Sequence, residues 1–166
     1  MTPFEPFPFS LETSRLSLRL WEESDAPGYR ELVRECGGEA PSMEEALADI
    51  RGARESAPGR GIHLLALHPR GSDEFFGHCG LIVGRASIDE PEIAYELLRS
   101  AHGKGYATEA AEAVVTAAKA TGRRKLWSTV RSWNQPSFRV LEKVGFWRDH
   151  STTDDRGEIV WMTRDL

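Results

Sequence analysis

The chain has 166 residues, 40% of them apolar, a length that suits one globular domain with a single core, about 70% of the unfolded surface being buried on folding. A formal charge of −5 and a pI near 5.6 exclude the general affinity for nucleic acid or anionic membrane that a basic surface confers. Cys36 and Cys79 are too few for a disulfide framework, and no run approaches the roughly 20 apolar residues of a membrane span, so a reducing cytoplasm is the expected setting.

Residues 1–10, MTPFEPFPFS, lack a basic start and carry three prolines, which predicts an extended arm packed on the domain rather than a signal peptide. Residues 15–20 read RLSLRL, the alternation of a half-buried strand. Ser24 or Asp25 can cap a helix with Pro27 in its first turn, and Tyr29, Leu32 and Val33 recur at helical spacing until Gly37. Ser42 and Glu45 have capping-box spacing, predicting a second helix that ends near Ala57. Residues 62–67 and 75–83 predict a hairpin across the turn at Pro69 to Asp73.

A further strand, residues 92–98, puts Glu92, Ala94 and Glu96 on one face and Ile93, Tyr95 and Leu97 on the other. It runs into His102-Gly103-Lys104-Gly105-Tyr106 and then an alanine-rich helix over about 108–121, buried through Ala111, Val114, Val115 and Ala118. Glycines at such a junction let several backbone N–H groups converge beyond a helix start, where unpartnered donors and the helix dipole favour phosphate. The Walker and dinucleotide glycine spacings are both absent. Residues 125–131 predict a strand parallel to the one before the helix, because a strand, helix, strand unit forces that arrangement. Asn134 to Ser137 opens a short helix with Phe138, Leu141 and Val144 on its apolar side, and a terminal hairpin is expected across a polar loop at 148–157.

LETSRLSLRLWEESDA, EIAYELL followed by HGKGYATEA, and NQPSFRVLEKVGF stand in the order of the GNAT superfamily of acyl-CoA-dependent N-acyltransferases, and the chain resembles its RimJ and RimL branch over nearly its whole length. The resemblance implies one α+β domain over residues 1–166. Its mixed, mostly antiparallel sheet of six to seven strands would be flanked by about four helices. Two splayed parallel strands, 92–98 and 125–131, would form a cleft filled by the pantetheine arm of acetyl-CoA. It assigns cofactor contacts to Leu97, Leu98, Arg99, His102, Gly103, Lys104, Gly105, Tyr106, Ala107, Thr108 and Asn134. Ser100 stands where the superfamily often has Gln or Arg, which weakens a side-chain phosphate contact there.

The implied activity is acetyl transfer from acetyl-CoA to a primary amine by direct attack, favouring a protein or peptide N-terminus, with a small-molecule amine or a non-catalytic acyl-CoA-binding domain as alternatives. Glu92, on the splayed strand, is the leading candidate base and Glu96 the alternative. The resemblance places Ser137 where this branch has a hydroxyl near the thiol sulfur, the candidate donor of a proton to the departing thiolate, and puts Phe138 where many members have a tyrosine. The histidines show no pair at metal-ligand spacing, so no metal is expected. Trp133 is the tryptophan expected nearest the substrate, and a homodimer fits the habit of related enzymes.

Overall fold

A computed structural model of the protein describes residues 3–166. Its helices are α1 (Ala26–Glu35), α2 (Met43–Arg60), α3 (Tyr106–Ala120) and α4 (Gln135–Lys143). One sheet of eight strands runs in the order β1 (Ser10–Glu12), β2 (Leu16–Arg19), β3 (Leu64–Pro69), β4 (Gly77–Ile82), β5 (Glu92–Leu97), β6 (Lys125–Arg131), β8 (Gly157–Asp165), β7 (Trp147–Asp154). Among the described residues every neighbouring pair is antiparallel except β5 and β6, which the α3 crossover joins. The α+β architecture follows the sequence expectation with one strand more. The extra strand, β1, is three residues at the end of the arm, too short for alternation to reveal.

The terminal hairpin corrects a second expectation. Instead of a polar loop at 148–157, β7 pairs with β8 along Trp147–Asp154 around a tight turn, with a bulge between Arg148 and His150. All of its residues are exposed, so an edge strand here carries no apolar signature.

The sheet separates two cores. On one face Leu16, Leu65, Leu81, Ile93, Leu126 and Val160 pack against Ala111 and Val114 of α3 and Leu141 of α4. Each fully buried aliphatic side chain stabilises this layer by about 1.5–3 kcal/mol. On the other face Trp21 and Ala66 pack against Ala26 of α1 and Ala46 and Ile50 of α2. The Ser42–Glu45 capping box forms as expected, with Glu45 N–H donating to Ser42 Oγ at 3.1 Å. Helix α2 continues to Arg60 rather than ending near Ala57, because Pro58 falls in the last turn, where its missing N–H removes a single bond, and Gly61 at φ 74° ends the helix. The arm lies along the domain: Phe7 is fully buried and its N–H donates to the Gly61 carbonyl at 2.9 Å. The first two residues of that arm fall outside the described residues.

Candidate active site

Strand β5 is paired with β4 along its whole length but with β6 only at Glu92↔Trp127. At that closed end Trp127 N–H donates to the Pro91 carbonyl at 2.9 Å and the Ser128 hydroxyl to the Ile93 carbonyl at 3.2 Å. Beyond Ile93 the two strands part. Leu81 N–H donates to the carbonyl of His63, the residue before β3, so ladder alternation turns His78, Gly80 and Ile82 toward their β5 partners Glu96, Ala94 and Glu92. The backbone groups of Tyr95 and Leu97 therefore face the gap. The Leu97 carbonyl accepts from His102 Nε2 at 2.8 Å, which leaves the Tyr95 N–H, the Tyr95 carbonyl and the Leu97 N–H for a ligand. Leu98, expected to contribute here, has its N–H donating to the Phe76 carbonyl at 2.8 Å on the β4 side, so that donor does not face the gap.

The glycine turn follows at the open end. Gly103 (φ 73°) and Gly105 (φ 81°) both occupy the left-handed region, where a Cβ costs about 1–2 kcal/mol. Gly105 caps α3 with no side-chain partner, so the helix starts at Tyr106, two residues before the expected Thr108. Among the described residues no acceptor takes the N–H groups of Gly103, Lys104 or Gly105, and those of Tyr106, Ala107 and Thr108 are the unpartnered first donors of α3. Such a cradle fits a pyrophosphate. His102 differs from expectation, because its backbone N–H donates to the Arg99 carbonyl at 3.0 Å. Arg99 differs as well: its N–H donates to Glu35 Oε2 at 2.7 Å and its guanidinium turns to the Glu35 carbonyl at the end of α1.

The cation beside the turn is instead Arg15, which sequence reasoning missed. Its Nε pairs with Glu109 at 2.9 Å, Nη1 donates to the Lys104 carbonyl at 2.9 Å, and the guanidinium lies 4.5 Å above the Tyr106 ring. Arg15 precedes β2, and nothing in strand alternation links it to a loop so far along the chain.

Glu92 sits at the closed end of the gap, 4% exposed. Its Oε1 accepts from Arg85 N–H at 2.8 Å and its Oε2 from Thr129 Oγ1 at 2.9 Å, so the carboxylate ties the β4–β5 loop to β6. Gly84, at φ 56°, leaves room for it: a Cβ there would stand 2.6 Å from the Glu92 carboxyl carbon. Ser137 lies in the first turn of α4, its N–H capped by Asn134 Oδ1 at 3.4 Å. Its Oγ is 2.9 Å from the Tyr95 hydroxyl, which also reaches the Ser137 carbonyl at 3.1 Å. Burial raises the Tyr95 phenol above its ordinary range, so it stays a neutral donor. Tyr95 is the second residue missed from sequence, since alternation gave its face but not the helix it meets. Glu92 and Ser137 thus lie on opposite faces of β5, and the structure does not bring them together.

Glu96 shares the Glu92 face but points away from the closed end, with Oε2 3.5 Å from both His78 Nε2 and Cys36 Sγ. The hydrogen bond from His78 holds its carboxyl below the usual range. Burial and the Glu96 carboxylate push the Cys36 thiol up to about 11, and burial raises Cys79 further, so both thiols remain protonated at neutral pH. Trp133 is 73% exposed at the end of β6. Among the described residues no group of three or more His, Cys, Asp or Glu could hold a metal. Nor, among the described residues, is any helix long and apolar enough to cross a membrane.

A cavity of about 620 Å³ opens on the Glu92 side of the sheet, between α2 and the ends of β3 and β4. Ile50, Leu64, Ile82 and Val83 give it apolar walls, Asp49 adds one carboxylate, and Gly84 brings it to the Glu92 carboxylate.

Residues 15–147 match the acetyltransferase (GNAT) domain family. The chain belongs to the GNAT acetyltransferases. It is similar to the uncharacterized protein YkkB of Bacillus subtilis (strain 168), at 28% identity over 81% of this chain and 83% of YkkB. The GNAT fold here also matches RimL, a ribosomal L7/L12 α-N-protein acetyltransferase solved in complex with CoA, at TM-score 0.76 and 19% identity over 98% of both chains. YncA from Salmonella typhimurium, solved with its cofactor acetyl-CoA, matches at TM-score 0.72 and 15% identity, covering 91% of this chain and 94% of YncA.

Proposed function

We propose that the protein moves an acetyl group from acetyl-CoA to a primary α-amine by direct attack, with a protein or peptide N-terminus as acceptor in the manner of the RimJ and RimL branch. The carrying observation is the continuous path from the unpartnered donors at Gly103 to Thr108 into the gap beside Tyr95 and Leu97. When bound, acetyl-CoA supplies a thioester whose C–S bond breaks as the amine N–C bond forms.

Gly103, Lys104, Gly105, Tyr106, Ala107 and Thr108 hold the pyrophosphate through backbone N–H groups, with Arg15 fixing the turn. The free Tyr95 and Leu97 backbone groups bind the pantetheine amides as a short extra strand would. Asn134 acts through its cap on α4, which positions Ser137. The Tyr95–Ser137 pair then delivers a proton to the departing thiolate from the α4 side. On the other side Glu92 receives the proton released by the amine, directly or through water. Hydrogen bonds from the Arg85 N–H and the Thr129 hydroxyl hold the Glu92 carboxylate in place. An α-amine, with a pKa near about 7.7–8.0, has more of the neutral form at hand than a lysine near about 10.4 and needs less help from a base.

Thermal unfolding with CoA and with ATP, followed by thiol release from acetyl-CoA over an amine panel, tests the reading. Stabilisation by CoA alone and thiol release with peptides bearing a free N-terminus are expected. Stabilisation by ATP alone would overturn it.

A further inference from the structure

The cavity beside Gly84 lies where an acceptor has to wait. A cofactor entering from the glycine turn runs back along β5, and Leu97 to Ile93 spans about 13 Å at the rise of a strand, so its reactive end reaches the closed end of the gap. Glu92 and Gly84 stand at that same end, and Gly84 lines the cavity. Its volume of about 620 Å³ is in the range of sites that enclose a small ligand or one to two residues. The walls from Ile50, Leu64, Ile82 and Val83 offer little to a polar or strongly charged side chain. Asp49, which accepts from the Tyr29 hydroxyl at 3.2 Å, supplies a negative charge on the wall for an amine that arrives from water as a cation. Arg60 stands at the α2 C-terminal end of the cavity and opposes a second positive charge there.

We propose that the acceptor is an α-amine whose own residue carries a bulky apolar side chain, of the leucine, phenylalanine or methionine kind, and that this side chain fills the cavity while the amine faces the closed end of the β5–β6 gap. The inference rests on the acetyl-transfer reading above and names the acceptor class for that site. It covers a free amino-acid amide and a peptide N-terminus alike, since both present the same chemistry to the cavity.

The test compares kcat/KM for thiol release with leucine amide, phenylalanine amide and glycine amide, and with peptides that differ only in a first Leu, Phe, Ser or Gly. The apolar members should lead by at least about tenfold in whichever series is turned over, the discrimination expected of an apolar pocket. Turnover of the amides alone would identify a small-molecule source, and turnover of the peptides a protein N-terminus. Ala53→Phe, projecting from α2 into the cavity, should cut the ratio of leucine to glycine rates about tenfold, with CoA-induced stabilisation of the same variant showing that it is folded. Thiol release that is equal for, or faster with, the glycine and serine members overturns the cavity inference while leaving acetyl transfer standing. No thiol release with any amine, despite stabilisation by CoA, overturns the catalytic reading and the inference with it.

Discussion

Tyr95→Phe isolates the proposed proton path with the smallest change of shape. It removes one hydroxyl that stands 2.9 Å from Ser137 Oγ and 3.1 Å from the Ser137 carbonyl, and leaves the ring packed in the α3–α4 core. The structural cost is that of a part-buried hydrogen bond, about 0.5–1.5 kcal/mol, or a fall in Tm of about 1–6 °C for a domain of this size. If the pair supplies the leaving-group proton, kcat should fall by about 10²–10⁴, far beyond what that destabilisation produces at assay temperature. Ser137→Ala should fall into the same range, and the double variant should be no worse than the more impaired single one, because the two hydroxyls act as one path. Thiol release under saturating acetyl-CoA measures kcat, and CoA-induced stabilisation checks that the cofactor still binds. An acetyl thioester of a more acidic thiol should recover much of the lost rate, which a merely structural role would not allow. Unchanged kcat in Tyr95→Phe, or losses that simply multiply in the double variant, would refute the assignment.

Three other outcomes follow from the geometry. Gly105→Ala places a Cβ at φ 81° and 3.4 Å from Arg15 Nη2, so CoA affinity should drop with the loop conformation, by about tenfold for roughly 1–2 kcal/mol of strain, as read by calorimetric titration. Gly84→Ala meets the Glu92 carboxylate at 2.6 Å on a backbone at φ 56°, and should lower both Tm and kcat, whereas an exposed Gly52→Ala within α2 should lower neither. Burial raises the Asp25 carboxyl, but hydrogen bonds from His68, Arg19 and the Glu22 N–H outweigh it and hold it below its ordinary value. Its contribution is therefore complete above the unfolded pKa near about 3.9 and is lost as pH falls through the folded value, so Asp25→Asn should be less stable at neutral pH and show a flatter decline in urea midpoint below about pH 4.

The parts legible in the sequence are those whose cause is local. Gly103 and Gly105 announce a left-handed turn by residue type, Ser42 and Glu45 announce a cap by spacing, and the α3 stripe Ala111, Val114, Val115 and Ala118 is buried as its period demands. What sequence could not show is where a side chain finds its partner. Tyr95 meets Ser137 and Arg15 meets Lys104 across long stretches of chain, and Arg99 turns to Glu35 although it adjoins the phosphate loop. Nor could alternation reveal which N–H groups were already taken, as at Leu98 and His102. The terminal hairpin is expected from sequence but the length of β7 is not, because an exposed edge need not alternate.

Direct transfer between two substrates held on either side of β5 is tested by steady-state kinetics with acetyl-CoA and an N-terminal amine varied together. With Cys36 and Cys79 both protonated, no acyl-enzyme should form, and double-reciprocal lines should intersect to the left of the axis. Parallel lines, with acetyl group retained on the protein in the absence of amine, would contradict the account.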